Sequence, residues 1–488
     1  MPSYFYTIPK APARNILKAV EIHQNKPFTK NYSNSLNQMA QDPSTPETVP
    51  ARQKHPILVV LRLRNLRLLW IGEGISVLGS QFYMIALPWL VLKLTNDPFQ
   101  MGTVLALAGI PRALFMLVGG ALTDRYSPKI VMVISNLARM LLVLALTYLL
   151  ISGLIQIWML YALALSFGFA DAFFYPAQSA IIPRIVDDEF LLAGNAIIQG
   201  TIQLSLAVGP ALAGVLIALF SKSSDPTVQG SQIADITGIT AAFGFNALTF
   251  FLSVIIFSLI RIKKITESET ASQEISGALN FFKQGLLYVL KDKTMRLMLL
   301  VTSVAHFLVE GPLLVGIPVM ANTRFPEGAA AFGIIMSGLG AGMLLGILLA
   351  GFLPSVRPER LGTFLMLILS SSGLELMILG FLPGTYSTAF VALLMGASQG
   401  YVVIQYNTWL QIRTPRLLLG RVLSTMMFAS IGLVPISQAI CGALIKLNIT
   451  GLFLGAGLTL TVVNLWVALR PEMRSMGLEM KAKIKVTN

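Results

Sequence analysis

The sequence predicts an all-α polytopic membrane protein with twelve transmembrane helices in two pseudosymmetric six-helix bundles. Three observations carry that prediction. Of 488 residues, 55% are hydrophobic and only 12% charged, with a mean hydropathy of +0.72, which is more apolar surface than one water-soluble core buries. Apolar runs of about 20 residues, the length that crosses a bilayer, recur twelve times along the chain. The longest connection between them, 261–294, divides the runs six and six.

Residues 1–60 are rich in Pro, Asn, Gln, Ser, Thr and Lys and read as a disordered cytoplasmic tail. The first long apolar run starts too far from Met1 to be a cleavable signal peptide. Arg62, Arg64 and Arg67 precede that run and hold its start on the cytoplasmic side. The amino-terminal bundle, 61–260, carries spans at about 68–92, 101–123, 130–152, 155–175, 194–220 and 236–260. The carboxy-terminal bundle, 295–469, carries spans at about 295–320, 330–353, 361–382, 386–409, 421–446 and 449–469, followed by a tail over 470–488.

An even span count returns both termini to the cytoplasm, and the basic residues check it. Arg125, Lys129, Arg184, Lys264, Lys293, Arg357, Arg413 and Arg470 fall on that side, while the outer connections carry only Lys93, Lys222, Arg324 and Lys446. The formal charge of +14 is therefore a topology signal, and a lipid bilayer, not nucleic acid, is the expected partner. Within the linker, Ile275, Leu279, Phe282, Leu286 and Val289 recur at helical spacing and predict an interfacial helix over 274–293. The halves echo one another: Tyr175 and Pro183-Arg184 follow span 4, and Tyr406 and Pro415-Arg416 follow span 10. Duplicated units of this kind place a binding site at the midplane between them.

Two motifs stand out. After span 2, Gly120 removes bulk where helices approach, Asp124 sits at a helix C-terminus, and Arg125 and Lys129 crowd positive charge into a short hairpin. An acid there opposes the helix dipole and seeks a partner elsewhere. In span 5, Gly209-Pro210 and Gly214 combine a lost backbone donor with small residues, which bends a helix and permits close packing. Gly120, Leu122, Asp124, Arg125 and Lys129 resemble the signature of the major facilitator superfamily, with Ser127 and Pro128 departing from it. Asn65-Leu66-Arg67-Leu68-Leu69-Trp70, Ala86-Leu87-Pro88-Trp89, Ile110-Pro111-Arg112 and Phe173-Phe174-Tyr175-Pro176-Ala177 are similar to its drug:proton antiporter branch, which includes macrolide-efflux and enterobactin-exporter proteins.

The resemblance implies export of amphipathic small molecules by alternating access, with protons or sodium as the coupling ion. It makes Gly209, Pro210 and Gly214 an exporter-type kink, although Ser205 and Ala213 replace two glycines of the pattern. It sets the amino end of span 11, with Arg421, opposite Asp124 as a latch.

Coupling needs a group that changes occupancy inside the membrane, where an ionised side chain costs about 2.5–3.5 kcal/mol on insertion scales. Glu73, Asp171, His306 and Glu310 meet that condition, as does Glu375 in span 9, and Arg112 is a partner for Glu73. An arginine that many superfamily antiporters carry in span 4 is absent, Ser166-Phe167-Gly168 standing in its neighbourhood. Tyr83, Gln405 and Asn407 offer apolar faces with polar handles for a substrate cavity. A single cysteine, Cys441, and three scattered histidines give neither a disulfide nor metal-ligand spacing, and no Walker-type loop appears. A monomeric transporter with no cofactor and no enzymatic activity is the expectation. The alternatives are a lipid or siderophore transporter of the same fold and, more distantly, a receptor-like membrane protein.

Overall fold

The computed structural model describes residues 60–478 except 126, 222–230, 263–274, 354–355 and 416–417, with side chains also left out at 116–125, 231–235, 275–279 and 281. The expected amino-terminal tail, the first part of the linker and the end of the carboxy-terminal tail lie outside the described residues. Backbone in hydrocarbon has no water to bond, so each apolar run satisfies its polar groups internally as a helix. In the first half these are α1 (Arg64–Thr95), α2 (Pro98–Arg125), α3 (Pro128–Ile151), α4 (Ile157–Ile185), α5 (Leu191–Ser221) and α6 (Ser231–Ser258). The linker helix is α7 (Ile275–Lys291). The second half comprises α8 (Lys293–Gly311), a π-helical turn Pro312–Gly316, α9 (Ile317–Thr323), α10 (Ala329–Phe352), α11 (Leu361–Leu379), α12 (Thr385–Arg413), α13 (Leu419–Ile431), α14 (Val434–Ile445), α15 (Ile449–Ala468) and a short α16 (Pro471–Ser475). Among the described residues eleven helical stretches are long and apolar enough to span a membrane, and α2, 28 residues long, is the twelfth of spanning length.

Three spans differ from expectation. Span 4 continues ten residues past Tyr175, because Pro176 and Pro183 leave helical geometry intact while Ala177, Ile181, Ile182 and Ile185 stay buried against Leu66 and Leu69. Span 7 holds the π-turn, in which Ile317 N–H reaches Pro312 O five residues back. Span 11 breaks between α13 and α14 at Gly432-Leu433, where Pro435 supplies no N–H to the preceding turn.

The linker helix lies where its period predicts, but the described part of its apolar stripe faces protein. Val289 is fully buried, Phe282 packs edge-on to Phe428 at 5.3 Å, and Gly285 lies over the Arg421 carbonyl of α13. The carboxy-terminal extension is also docked as far as it is described: Met473 and Met476 are buried, and Trp409 Nε1 donates to Met476 O at 2.9 Å.

Within the first half α1 packs on α5 and α6, α3 on α4 and α6, and α2 on α4; within the second, α10 packs on α12 and α11 on α15. Two seams join the halves, α2 with α14 and α5 with α10. Small residues create both. A Cβ on Gly102 would strike the Gln438 carbonyl, and one on Gly333 the Pro210 carbonyl. Opening α5 at Pro210 also serves the seam, since the Ala211 N–H donates to Ser337 Oγ of α10 at 2.8 Å.

Candidate functional site

Four helices of the first half direct charge at one point. On α1, Gly72 lies over Phe257 and Gly79 over Thr249 of α6, and this close packing turns Glu73 inward to full burial. On α4, Phe167, Asp171, Phe174, Gln178 and Ile182 recur on the buried face, drawn toward α2 where Gly168 meets the Ala108 carbonyl. On α3, Ser135, Asn136, Arg139 and Val143 form the buried stripe. Asp171 is 9% exposed and Arg139 only 2%.

Asp171 is held by two arginines. Arg139 Nη2 lies 3.0 Å from Oδ1, and Arg112 Nη1, from α2, lies 3.7 Å from Oδ2. The Arg139 guanidinium also sits 4.1 Å over the Phe174 ring and 5.6 Å from Phe250, so ring faces and a carboxylate together replace its lost hydration. Glu73 is served differently. Its Oε1 accepts from Gln178 Nε2 at 2.5 Å, while Oε2 has no hydrogen-bond partner among the described residues. One turn along α1, Ser76 Oγ accepts from Asn136 Nδ2 at 3.2 Å, and Asn136 Oδ1 is likewise unpartnered. The cluster thus contains one acid fixed by cations and one bonded only by an amide.

Arg112 therefore reaches Asp171 and not Glu73, its partner from the sequence, because the α2–α4 packing brings it onto α4. Arg139 is the residue that sequence reasoning passed over. A lone arginine inside the apolar run 130–152 was the available signal, since a charge at that depth needs a partner.

The remaining residues scatter. Tyr83 stacks on Phe167 at 4.0 Å and meets Phe243 edge-on, packed within the first half. His306 Nδ1 bonds Thr302 O of its own helix at 2.9 Å, and among the described residues no bond joins it to Glu310. Glu375 accepts a long bond, 3.4 Å, from Ser398. Gln405 and Asn407 are both partly exposed on α12, but two helical positions place them about 200° apart, on different walls. Pro210 and Gly214 lie along the α5–α10 seam, against Gly333 and Ala329, while Gly209 packs on Gln81 and Leu78 of α1. Lys129 Nζ donates to Ser258 O at 2.7 Å, where a cation suits the C-terminus of α6. Arg421 Nη1 donates to Gln284 Oε1 of the linker helix; the side chains of Asp124 and Arg125, and any packing at Gly120, lie outside the described residues.

Opposite the basic face, a further ion pair crosses between the halves. Lys446, after α14, lies 2.9 Å from Asp97 Oδ1, and Asp97 also accepts from the Phe99 N–H that opens α2.

Two bundles joined along α2–α14 and α5–α10, with charge buried in one of them, is an arrangement that comparison with known proteins identifies. Residues 69–436 match the model of the Major Facilitator Superfamily. The chain belongs to that superfamily. Among its relatives, an uncharacterized MFS-type transporter, YfiS of Bacillus subtilis, is 25% identical over 75% of this chain and 83% of its own length. Enterobactin exporter EntS of Shigella flexneri is 24% identical over 73% and 79%. Macrolide efflux protein A of Streptococcus pyogenes is 22% identical over 73% and 83%. The solved structure of nucleoside transporter NupG shares the fold, with a TM-score of 0.63 at 14% identity over 84% of this chain and 99% of that one. This superfamily member is accordingly a multi-pass membrane transporter with export proteins among its relatives.

Proposed function

We propose that the protein exports an amphipathic, drug- or macrolide-like small molecule from the cytoplasm by alternating access, driven by proton re-entry. The observation that carries this reading is the pair of buried carboxylates, Glu73 and Asp171, with one buried arginine between them: a charge arrangement kept in hydrocarbon at a cost is suited to changing occupancy during a cycle. Both termini and the basic face lie in the cytoplasm of an inner membrane, and the protein acts as a monomer. Gly209, Pro210 and Gly214 serve as the exporter-type bend of α5. Asp124 and Arg421 latch the cytoplasmic ends of α2 and α13. Gln405 and Asn407 contribute to the substrate path, and sodium is the second choice of coupling ion.

Uptake of fluorescent cationic and neutral drugs into inside-out vesicles, with and without an imposed proton gradient, tests the reading. Gradient-driven uptake in the native protein, lost in Asp171→Asn, is the expected result. The enterobactin exporter among the relatives favours a second reading, export of a siderophore or a lipid. Vesicles that take up no drug but accumulate a siderophore would select it.

A further inference from the structure

We infer that in this conformation Glu73 carries a proton on Oε2, with Asn136 Oδ1 as the acceptor of its hydrogen bond, while Asp171 anchors Arg139. Naming that proton as the coupling ion rests on the proposed function; its location does not.

Glu73, Asp171 and Arg139 are each more than nine-tenths buried, and with both acids ionised they sum to one negative charge. Arg112 does not cancel it for Glu73, because its guanidinium reaches Asp171 and its side chain is 38% exposed. Arg139 faces both acids but lies 3.0 Å from Asp171. The titratable groups around Glu73 are thus Arg139 on α3, Asp171 and Tyr175 on α4 and Arg112 on α2. The helices packed on its other sides carry none: α5 has no titratable residue over 191–221 and α6 none over 236–258. An ionised Glu73 would therefore sit in a dry site with one neutral amide as its bonded partner, the arrangement burial penalises most.

The hydrogen-bond inventory points to the same atom. Gln178 Nε2 serves Oε1, leaving Glu73 Oε2 and Asn136 Oδ1 as buried acceptors without a donor, while the buried donors also left open, Arg139 Nε and Nη2, belong to the guanidinium that lies against Asp171. With Nδ2 directed to Ser76 Oγ, the Asn136 amide presents Oδ1 as an acceptor, and an ionised acid has no donor to give it. A single proton on Oε2 turns one acceptor into a donor and provides for both. The Asn136 amide is held in place by its own bond to Ser76 Oγ, one turn from Glu73 on the same face of α1. Asn136 and Gln178 are thereby positioning residues for the proton. When Glu73 loses it, Arg139 becomes shared between two carboxylates, and the α3–α4 bond weakens as α1–α3 attraction grows.

The test is infrared spectroscopy of the full chain in nanodiscs near neutral pH, with carbon-13 placed in glutamate or in aspartate. The proposal expects a protonated-carboxyl stretch that shifts with labelled glutamate and not with labelled aspartate. It should be lost in Glu73→Gln, kept in Glu375→Gln, and move to higher frequency in Asn136→Leu, where the acceptor is gone. Labelling of the native protein keeps the test open if a variant fails to fold. A band that follows labelled aspartate, one that survives Glu73→Gln, or one that vanishes on adding sodium at fixed pH overturns it, the last showing a sodium site. If the band behaves as expected but vesicles show no proton-driven uptake, the proton site stands and the coupling reading falls.

Discussion

The crossing of α2, α3 and α4 in the first half and that of α10 and α12 in the second solve one packing problem in opposite ways. In the first, Arg139, Asp171 and Arg112 meet through side chains at 3.0 and 3.7 Å. In the second, Gly338, Gly342 and Gly346 of α10 lie over the carbonyls of Ala389, Leu393 and Ala397, and Gly396 and Gly400 of α12 return the contact on Leu339 and Met343. Backbone pressed on backbone holds one arrangement, because no atom there can change charge or partner. Charged side chains hold several, since a proton shifts which pair is favourable. The first crossing thus keeps side chains that can exchange partners, and the second keeps a fixed backbone contact.

The largest effect should come from breaking the charged side. Arg139→Leu leaves Asp171 with Arg112 at 3.7 Å as its remaining cation and should cost about 3 kcal/mol, read as a lowered unfolding temperature in detergent. The double variant Arg139→Leu with Asp171→Leu should recover most of that loss. A single variant as stable as the native protein would show that the pair stabilises nothing. Overpacking the glycine side comes next. Gly342→Val should cost about 1–3 kcal/mol, whereas Gly200→Ala on α5, with nothing near the new methyl, should be neutral or stabilising by up to about 1 kcal/mol. If Gly342→Val is silent, the seam is looser than drawn.

Smaller effects probe where the halves join. Ser337→Ala removes the acceptor of the Ala211 N–H, costing about 1 kcal/mol, and should raise the rate of cross-linking across the cytoplasmic ends. The smallest change concerns Asp97 and Lys446, a half-exposed pair worth about 0.2–1 kcal/mol. Partial burial raises the Asp97 carboxyl, but the Lys446 hydrogen bond, the Phe99 N–H, the Lys446 charge and Gln100 together hold it below the usual carboxylate value. With the folded value depressed, the contribution is whole above the ordinary carboxylate range and disappears only as pH falls through the lowered value. Spin labels flanking 97 and 446 should therefore report an unchanged distance from pH 8 to 5 and separation only in stronger acid. Separation near pH 6 would assign the outer contact to another group.

The helices were legible because hydropathy and helix length answer to the same bilayer: the runs read as 330–353 and 449–469 appear as Ala329–Phe352 and Ile449–Ala468. Breaks were not. Pro176 reads as a stop yet lies in mid-helix, whereas Pro435 ends a turn, and only neighbours decide between them. In the site, Glu73 and Asp171 could be named because charge in an apolar run is conspicuous. Their partners could not, since which arginine reaches which acid depends on how α2, α3 and α4 rotate about their axes. Tyr83 shows the same gap: its ring chemistry suited a ligand, and the fold gave it Phe167 instead.

The π-turn at Pro312–Gly316 carries a consequence for insertions and deletions. Its bond from Ile317 back to Pro312 encloses one residue more than an α-turn, so the segment behaves as a single-residue insertion absorbed without breaking the helix. Losing one codon within 312–316 would restore regular winding and leave the faces of α8 and α9 where they are, because Pro312 and Ile317 already stack as the ends of one turn, whereas the same loss elsewhere in the span would rotate one part by about 100° relative to the other. The chain would still cross the membrane there, with His306 and Glu310 on the faces they now hold. At this one window a reading-frame-preserving deletion should leave both insertion and transport in place, while the same deletion one or two turns earlier should preserve insertion only.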